Sequence, residues 1–115
     1  MRAHPTPAQC FQIHATDNVA TLLEDIHAGA EVQVRGESAP LSLRAIDAIK
    51  TGHKIALRPL TEGTPIVKYG FPIGEATHSI GQGAWVHLHN CRSLYDARSS
   101  ELDLDSGARK ETSYV

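Results

Sequence analysis

The chain has 115 residues, of which 41% are hydrophobic and 21% charged, and its formal net charge at pH 7 is −2. A chain of this size forms one domain with one modest core, and its composition is ordinary for a globular protein. The small negative charge gives no electrostatic reason to expect nucleic acid or an anionic membrane as a partner. No apolar run approaches the length of a membrane span, the N-terminus lacks the apolar core of a signal peptide, and the two cysteines form no close-spaced redox or metal motif. We therefore expect a soluble, cytoplasmic domain.

The chain begins with a predicted arm, a strand and a helix. Residues 1–9, with two prolines, are expected to be a flexible arm, and residues 10–14 alternate enough for a short strand. A helix is predicted from Thr16 or Asp17, either of which can cap it, to Gly29. Its apolar residues are spaced three, one and three apart, which places them on one helical face: Val19, Leu22, Leu23 and Ile26.

After Gly29 the pattern changes to strands. Residues 31–35 alternate apolar and polar side chains, residues 41–43 suggest a second strand, and residues 53–57 leave a turn as a third. The segment 44–50 is compatible with a helical turn or with an irregular connection.

Glycines punctuate the second half of the chain. They separate short runs with β-branched or aromatic residues, notably 64–69 and 84–90. Such spacing predicts a compact, mainly β domain over residues 10–95, with one or two short helices. Residues 96–115 are polar and are predicted to be a tail or linker. We find no internal repeat in the sequence.

The stretch Trp85-Val86-His87-Leu88-His89-Asn90 holds the first chemical candidates. If it is a strand, His87 and His89 share one face and lie about 6.6 Å apart along the strand. Imidazole is a ligand for zinc, iron, nickel or copper, but a metal needs three or four ligands. The spacing leaves three interpretations open: a metal-binding pair, a substrate-contacting pair, or two half-exposed histidines on an edge strand.

Two further histidines and two lysines complete the candidate set. His14 precedes the predicted helix, whose positive end favours neutral imidazole, and His53 follows a glycine turn; such groups can accept a proton or bind a metal. Lys54 and Lys68 stand in short apolar runs near glycine and are candidates for binding a carboxylate or phosphate. The alternatives are that His14 fills a loop and that the lysines extend to water from half-buried strands. Because no phosphate loop, Ser-His-Asp order or paired carboxylates occur, the sequence indicates part of a site.

Four motifs, in order, resemble the N-terminal SAF domain of the altronate and galactarate dehydratase family. They are Ile13-His14-Ala15-Thr16-Asp17-Asn18-Val19-Ala20, Gly52-His53-Lys54-Ile55-Ala56-Leu57, Lys68-Tyr69-Gly70 with Ile73-Gly74-Glu75-Ala76-Thr77, and Trp85-Val86-His87-Leu88-His89-Asn90. The resemblance runs from about Phe11 to Asn90 and implies the β-clip fold, a twisted set of short strands folded over on itself. Ala15 stands where the family often has proline, and the substrate is left open.

The resemblance implies a lyase that acts on hydroxy-acids. Members of this family dehydrate sugar acids such as D-altronate or galactarate to 2-keto-3-deoxy acids, with a divalent metal that is typically iron. The resemblance also implies that this chain is the small subunit of a two-chain enzyme and that the large catalytic subunit holds much of the metal site. The alternatives are the small subunit of a (2R)-sulfolactate sulfo-lyase, or a non-catalytic SAF module for sugar-acid binding or assembly. A homo-oligomer is left open.

The same resemblance, taken with the side-chain chemistry, assigns roles to named residues. The catalytic candidates are His14, His53, His87 and His89. The substrate-binding candidates are Lys54, Lys68 and Asn90. The candidates for metal binding are His87 and His89.

Overall fold

The computed structural model of the chain describes residues 7–36 and 41–94. No helix occurs in these ranges up to residue 93, and the described part of the chain contains no helix long and apolar enough to span a membrane. The described residues form nine strands: β1 (Ala8–Gln12), β2 (Val19–Leu22), β3 (Glu31–Gly36), β4 (Leu41–Arg44), β5 (Lys54–Ala56), β6 (Pro65–Lys68), β7 (Phe71–Ala76), β8 (Trp85–Val86) and β9 (Cys91–Ser93). The prediction of a mainly β domain is confirmed.

The strands form two sheets. Six strands pair in the order β4-β3-β1-β2-β5-β8, and three pair in the order β6-β7-β9. Neighbouring strands are antiparallel except for β1 and β3, which run parallel. The β6–β7 hairpin turns through Tyr69 and Gly70, whose φ angles are 61° and 77°. Two successive positive φ angles are the signature of a type I′ hairpin turn, which matches the right-handed twist of its strands.

Two apolar cores lie on opposite sides of the β2–β5 strand pair. The first core takes Ala20 and Leu22 from β2 and Ile55 from β5, and the second takes Val19 and Ala56 from the same two strands. Side chains that alternate along a strand point to opposite faces, so this pair is buried on both faces. The β2–β5 pair therefore holds the two halves of the domain together.

The helix predicted for residues 16–29 is wrong. Val19 to Leu22 form β2, and the four residues expected on one helical face have separate environments. Val19 lies in the second core, Leu22 and Ile26 lie in the first, and Leu23 is 55% exposed. Because β2 is buried on both faces, its sequence lacks the apolar–polar alternation that marks a strand with one wet face. An apolar run of this length is ambiguous by periodicity alone.

One turn occurs four times in the described residues, a local recurrence that is shorter than a structural repeat unit. Each copy has the pattern Ile or Leu, two residues, then glycine, with the glycine φ between 85° and 90°. In each copy an N–H···O bond of 3.0–3.1 Å closes a four-residue turn. Each turn starts at the residue after Ile or Leu, so the glycine is its third residue. A type II turn requires positive φ at that position, which explains the glycine. The copies begin at Ile26, Ile49, Leu60 and Ile80, and isolated bridges pair the first with the second and the third with the fourth.

The remaining predictions agree with the structure to different degrees. Strands predicted at 31–35, 41–43, 53–57 and 64–69 correspond to β3, β4, β5 and β6 within two residues. Strand β1 begins at Ala8, inside the predicted arm. Of the segment 44–50, Arg44 ends β4, and residues 45–50 form an irregular connection held by the bridge at Ile49. The tail predicted at 96–115 and residues 1–6 of the predicted arm lie outside the described residues.

Candidate functional site

Strand β8 ends at Val86, and the residues that follow form a turn. The side chain of Asn90 closes this turn, because its Oδ1 accepts the N–H of His87 at 3.0 Å and its Nδ2 donates to the carbonyl of Trp85 at 2.8 Å. An asparagine side chain that bonds nearby backbone groups competes with the strand ladder. The prediction that His87 and His89 share a strand face is therefore wrong. The structure gives Asn90 the task of shaping the turn, and its contact with substrate stays a prediction.

Three of the predicted histidines nevertheless come together, around the indole of Trp85. The His87 ring stacks on the indole with centroids 5.1 Å apart and planes within 10°, and the His89 centroid lies 4.9 Å from it. His53 contacts both the indole, at 5.7 Å, and the His87 ring, at 5.2 Å. We call His53, Trp85, His87 and His89 the imidazole cluster. Its first three members are half-buried and His89 is exposed, so the cluster lies at the surface.

The indole of Trp85 is fixed by its backbone and by its ring nitrogen. Its backbone N–H donates to Asp47 Oδ2 at 2.9 Å, while its carbonyl accepts from Asn90. The indole Nε1–H donates to Nδ1 of His53 at 3.2 Å. Trp85 therefore provides both the face on which two imidazoles pack and a hydrogen bond to a third. The sequence motif contained Trp85 but gave no reason to assign it a part in the site.

Lys54 is buried, with 5% of its surface exposed, although lysine is almost never fully buried without a partner. Burial, and secondarily the positive charge of Lys68, lowers the pKa of Lys54 from 10.5 to about 8. Among the described residues neither lysine forms a salt bridge. Lys68 is half-buried and its Nζ lies 4.8 Å from the centre of the Tyr69 ring. The pair is thus a concentration of positive charge without a carboxylate from this part of the chain.

A buried hydroxyl stands beside Lys54. Thr21 is the partner of Lys54 in the β2–β5 register, and cross-strand partners project from the same face of a sheet. The Oγ1 atom of Thr21 is buried and has no hydrogen-bond partner in the described part of the chain. A buried ammonium without a counter-ion and a buried hydroxyl without a partner are both groups that an oxygen anion can satisfy.

His14 belongs to a second part of the site, organised by Asp17. The Asp17 carboxylate is 1% exposed and accepts three backbone N–H groups: from His14 at 3.0 Å, Tyr69 at 3.1 Å and Gly70 at 2.8 Å. Hydrogen bonds to an ionised acceptor are among the stronger ones in proteins. Asp17 therefore ties the His14 loop to the β6–β7 turn, which is 52 residues further along the chain. From the sequence, Asp17 was predicted only as a possible helix cap.

The turn at Tyr69 and Gly70 is shaped to receive the His14 ring. A Cβ atom on Gly70 would lie 3.0 Å from Cδ2 of His14, so the ring packs closely against a position where a side chain would crowd it. Tyr69 is the non-glycine residue with positive φ in the described ranges, a conformation that is costly for an aromatic residue and that the type I′ turn requires. Its ring is 53% exposed.

The predicted site residues thus form two groups. The imidazole cluster contains His53, His87 and His89, while Lys54 lies close to Lys68, which adjoins the turn that contacts His14. Alternation along β5 sends the side chain of Lys54 to the same face as Val86, its partner in the register, and Ile55 to the other face with Trp85. His53 and Lys54 are consecutive in the chain, so the two groups adjoin at the start of β5.

The metal prediction can be compared with these side chains. In residues 7–36 and 41–94 no group of three or more His, Cys, Asp or Glu side chains lies together in a way that could hold a metal ion. His87 and His89 both pack on the Trp85 ring. These residues therefore do not fit a metal centre held by this part of the chain alone.

Comparison with known proteins assigns the chain to a family. The model of the altronate/galactarate dehydratase SAF domain matches residues 8–94. The chain is 44% identical over 83 residues to an altronate dehydratase of Bacillus subtilis, and 41% identical over 85 residues to an altronate dehydratase of Escherichia coli. These matches cover 72% and 74% of this chain but only 16% of each relative. It is also 34% identical over 87 residues to the (2R)-sulfolactate sulfo-lyase subunit alpha of Chromohalobacter salexigens, covering 72% of this chain and 93% of that protein. The chain belongs to the SAF-domain family of the altronate and galactarate dehydratases.

Proposed function

We propose that this chain is the small subunit of a two-chain hydroxy-acid lyase and forms one wall of its active site, in the cytoplasm. Support comes from the relatives, which are named as dehydratases or as a sulfo-lyase subunit. The matched SAF region is 16% of an altronate dehydratase and 93% of a protein named subunit alpha. The same domain therefore occurs both as part of a long chain and as nearly the whole of a short subunit. The other groups that the reaction requires are then supplied by a large catalytic partner.

The observation that carries this proposal is the pair of Lys54 and Lys68. A buried ammonium without a carboxylate partner lowers the stability of the fold, so its presence indicates that the charge is used. In the proposed reaction a proton is removed from the carbon next to a carboxylate, and hydroxide leaves the neighbouring carbon. Negative charge then accumulates on the carboxylate, where two ammonium groups stabilise it. Lys54 and Lys68 are the proposed carboxylate-binding residues.

The histidines supply donors and acceptors for the oxygen atoms of the same substrate. His53, His87 and His89 lie in one cluster at the surface, and His14 is held against the β6–β7 turn. We propose that the large partner closes over both groups and positions the substrate. Exposed apolar side chains flank His14, with Phe71 65% exposed and Ile13 38% exposed, as is common at protein interfaces.

A divalent metal, where the enzyme uses one, is assigned to the large partner. The described residues of this chain do not assemble a metal centre. Such an ion would stabilise negative charge on the substrate oxygens. The role of this chain is to bind the carboxylate and to donate hydrogen bonds.

A sulfonated hydroxy-acid is the second candidate substrate. Two relatives named (2R)-sulfolactate sulfo-lyase subunit alpha match over 93% and 90% of their own lengths, in contrast to the dehydratases. A sulfonate carries its charge on oxygen atoms as a carboxylate does, so the lysine pair suits both substrates. The choice between them lies with the partner.

The first test is capture of the partner. The tagged chain is purified from its native cell extract, the proteins that accompany it are identified by mass spectrometry, and the complex is assayed with altronate, galactarate and (2R)-sulfolactate. We expect a stoichiometric large chain of the dehydratase family and the consumption of one of the three acids. A chain that is recovered alone from an extract containing the lyase activity indicates a non-catalytic binding module instead.

A double variant tests the histidines within that complex. The change of His87 and His89 to alanine is expected to abolish turnover while the circular dichroism spectrum and binding of the large chain are retained. The matched control changes His27 and His78, which are exposed and lie outside the imidazole cluster, to alanine and is expected to keep full activity. An active His87/His89 double variant contradicts the proposed role.

A further inference from the structure

In two of the candidate histidines, His53 and His14, the ring nitrogen Nδ1 accepts a hydrogen bond from an N–H group. Nδ1 of His53 accepts from the indole Nε1 of Trp85 at 3.2 Å, and Nδ1 of His14 accepts from the backbone N of Thr16 at 3.2 Å. Indole and amide nitrogens can only donate. Each Nδ1 must therefore offer its lone pair, and in the neutral ring the proton lies on Nε2.

This arrangement restricts what each ring can do. A neutral imidazole with its proton on Nε2 is a hydrogen-bond donor through that atom, and it has no lone pair there for a proton or a metal ion. To bind a metal through Nε2, His53 would have to move its proton to Nδ1, where it would face the indole N–H and break that bond. The same holds for a general base acting through Nε2.

We propose that Trp85 is a positioning residue, which holds His53 as an Nε2–H donor to a substrate oxygen and prevents it from acting as a metal ligand or base through Nε2. The kinetic part of this inference rests on the proposed function; the tautomer does not. The indole is suited to this role because the backbone of Trp85 is held on both sides: its N–H donates to Asp47 and its carbonyl accepts from Asn90. Its face is meanwhile occupied by the ring of His87, which limits its rotation.

The change Trp85→Phe separates the two contributions of the indole. Phenylalanine keeps an aromatic face for His87 and His89 and removes the N–H that His53 accepts. His14 serves as an internal control in the same molecule, since its Nδ1 is bonded to a backbone N–H that the change leaves in place.

The tautomer is measured on the chain itself by long-range 1H–15N NMR of the imidazole rings at about pH 8.5, about two pH units above the ordinary histidine value of about 6.5. In the wild type we expect the Nε2–H form for both His53 and His14. In Trp85→Phe we expect His53 to show a mixture of the two tautomers while His14 is unchanged. A wild-type His53 in the Nδ1–H form, or a His53 that keeps the pure Nε2–H form in the variant, overturns the proposal, and the first of these results needs no variant to fold.

Activity is then measured on the complex with the large chain. We expect Trp85→Phe to lower kcat about 10-fold with little change in KM, as is usual when a group that orients an active-site histidine is removed. A variant with an altered tautomer and unchanged kcat overturns the catalytic part of the inference. A wild-type complex without lyase activity instead overturns the proposed function, and the NMR result for Trp85 and His53 still decides the tautomer.

Discussion

Replacement of Lys54 by methionine is expected to stabilise the isolated chain and to inactivate its complex. Burial lowers the pKa of Lys54 from 10.5 to about 8, and at about 1.4 kcal/mol per pKa unit this difference corresponds to about 3 kcal/mol. Below pH 8 the ammonium is charged in both the folded and the unfolded chain, so the folded state carries the whole penalty. Methionine has a side chain of similar length and no charge. The free energy of unfolding of Lys54→Met at pH 7 should therefore exceed that of the wild type by about 2–3 kcal/mol.

The pH dependence distinguishes this cause from improved packing. As the pH rises from about 8 to 10.5, folded Lys54 loses its proton while the unfolded chain retains it, so the wild type gains stability and the advantage of Lys54→Met should shrink. Burial also raises the pKa of Cys10 to about 12 and that of Cys91 to about 11, which lowers the stability of both proteins above pH 9. The Cys10 contribution cancels in their difference. The positive charge of Lys54 lowers the pKa of Cys91, so its removal raises that pKa further, and this acts in the same direction as the expected decrease in the advantage of Lys54→Met.

Urea unfolding at pH 7 and at pH 10 measures this difference. Lys50→Met is the control, because the side chain of Lys50 is 79% exposed and its contact with Asp25 is a 4.0 Å surface pair. A Lys54→Met protein that is less stable at pH 7, or whose advantage is the same at both pH values, refutes the argument from a buried charge. Full activity of that variant with the large chain would show that Lys54 does not bind substrate.

Two further changes test the connection between His14 and the β6–β7 turn. Asp17→Asn leaves one oxygen to serve three N–H groups and should lower the free energy of unfolding by about 2–4 kcal/mol, whereas Asp25→Asn, at an exposed carboxylate that accepts one N–H, should change it by less than about 1 kcal/mol in urea unfolding. Equal losses in the two variants would contradict the role of Asp17. Gly70→Ala and Gly63→Ala both place a side chain at positive φ, at a cost of about 1–2 kcal/mol, but only at Gly70 does the new Cβ also meet a ring, that of His14. Gly70→Ala should therefore be the less stable of the two and should shift the NMR signals of His14; identical thermal stability and an unmoved His14 would refute this.

Strands with one wet face could be predicted from the sequence, and those with two dry faces could not. Val32 and Val34 of β3 are buried between more exposed neighbours, and their alternation correctly predicted a strand. In β2 both faces are buried, so Val19 and Leu22 were spaced as well for a helix as for a strand. Local periodicity does not show that β2 packs against a second core. This tertiary burial is the reason that the segment forms a strand and not a helix.

The candidate residues could be found from the sequence more readily than their arrangement. The histidines and lysines were named from motifs, but the turn that follows β8 depends on the side chain of Asn90, and a periodicity argument does not include such bonds. The contribution of Asp17 depends on backbone groups of Tyr69 and Gly70, more than 50 residues away. No local spacing can indicate a contact of that range, and an alternation argument likewise gave no reason to assign a role to Trp85.

The position of β2 and β5 between two cores has a consequence for folding. Residues from these two strands contribute to both apolar clusters, so neither half can lose its packing without exposing apolar surface that belongs to the other. The two halves therefore unfold as one cooperative unit, and the amide groups of this strand pair open only with the whole domain. Lys54 begins one of these two strands, so its charged side chain is anchored in the part of the molecule that opens last.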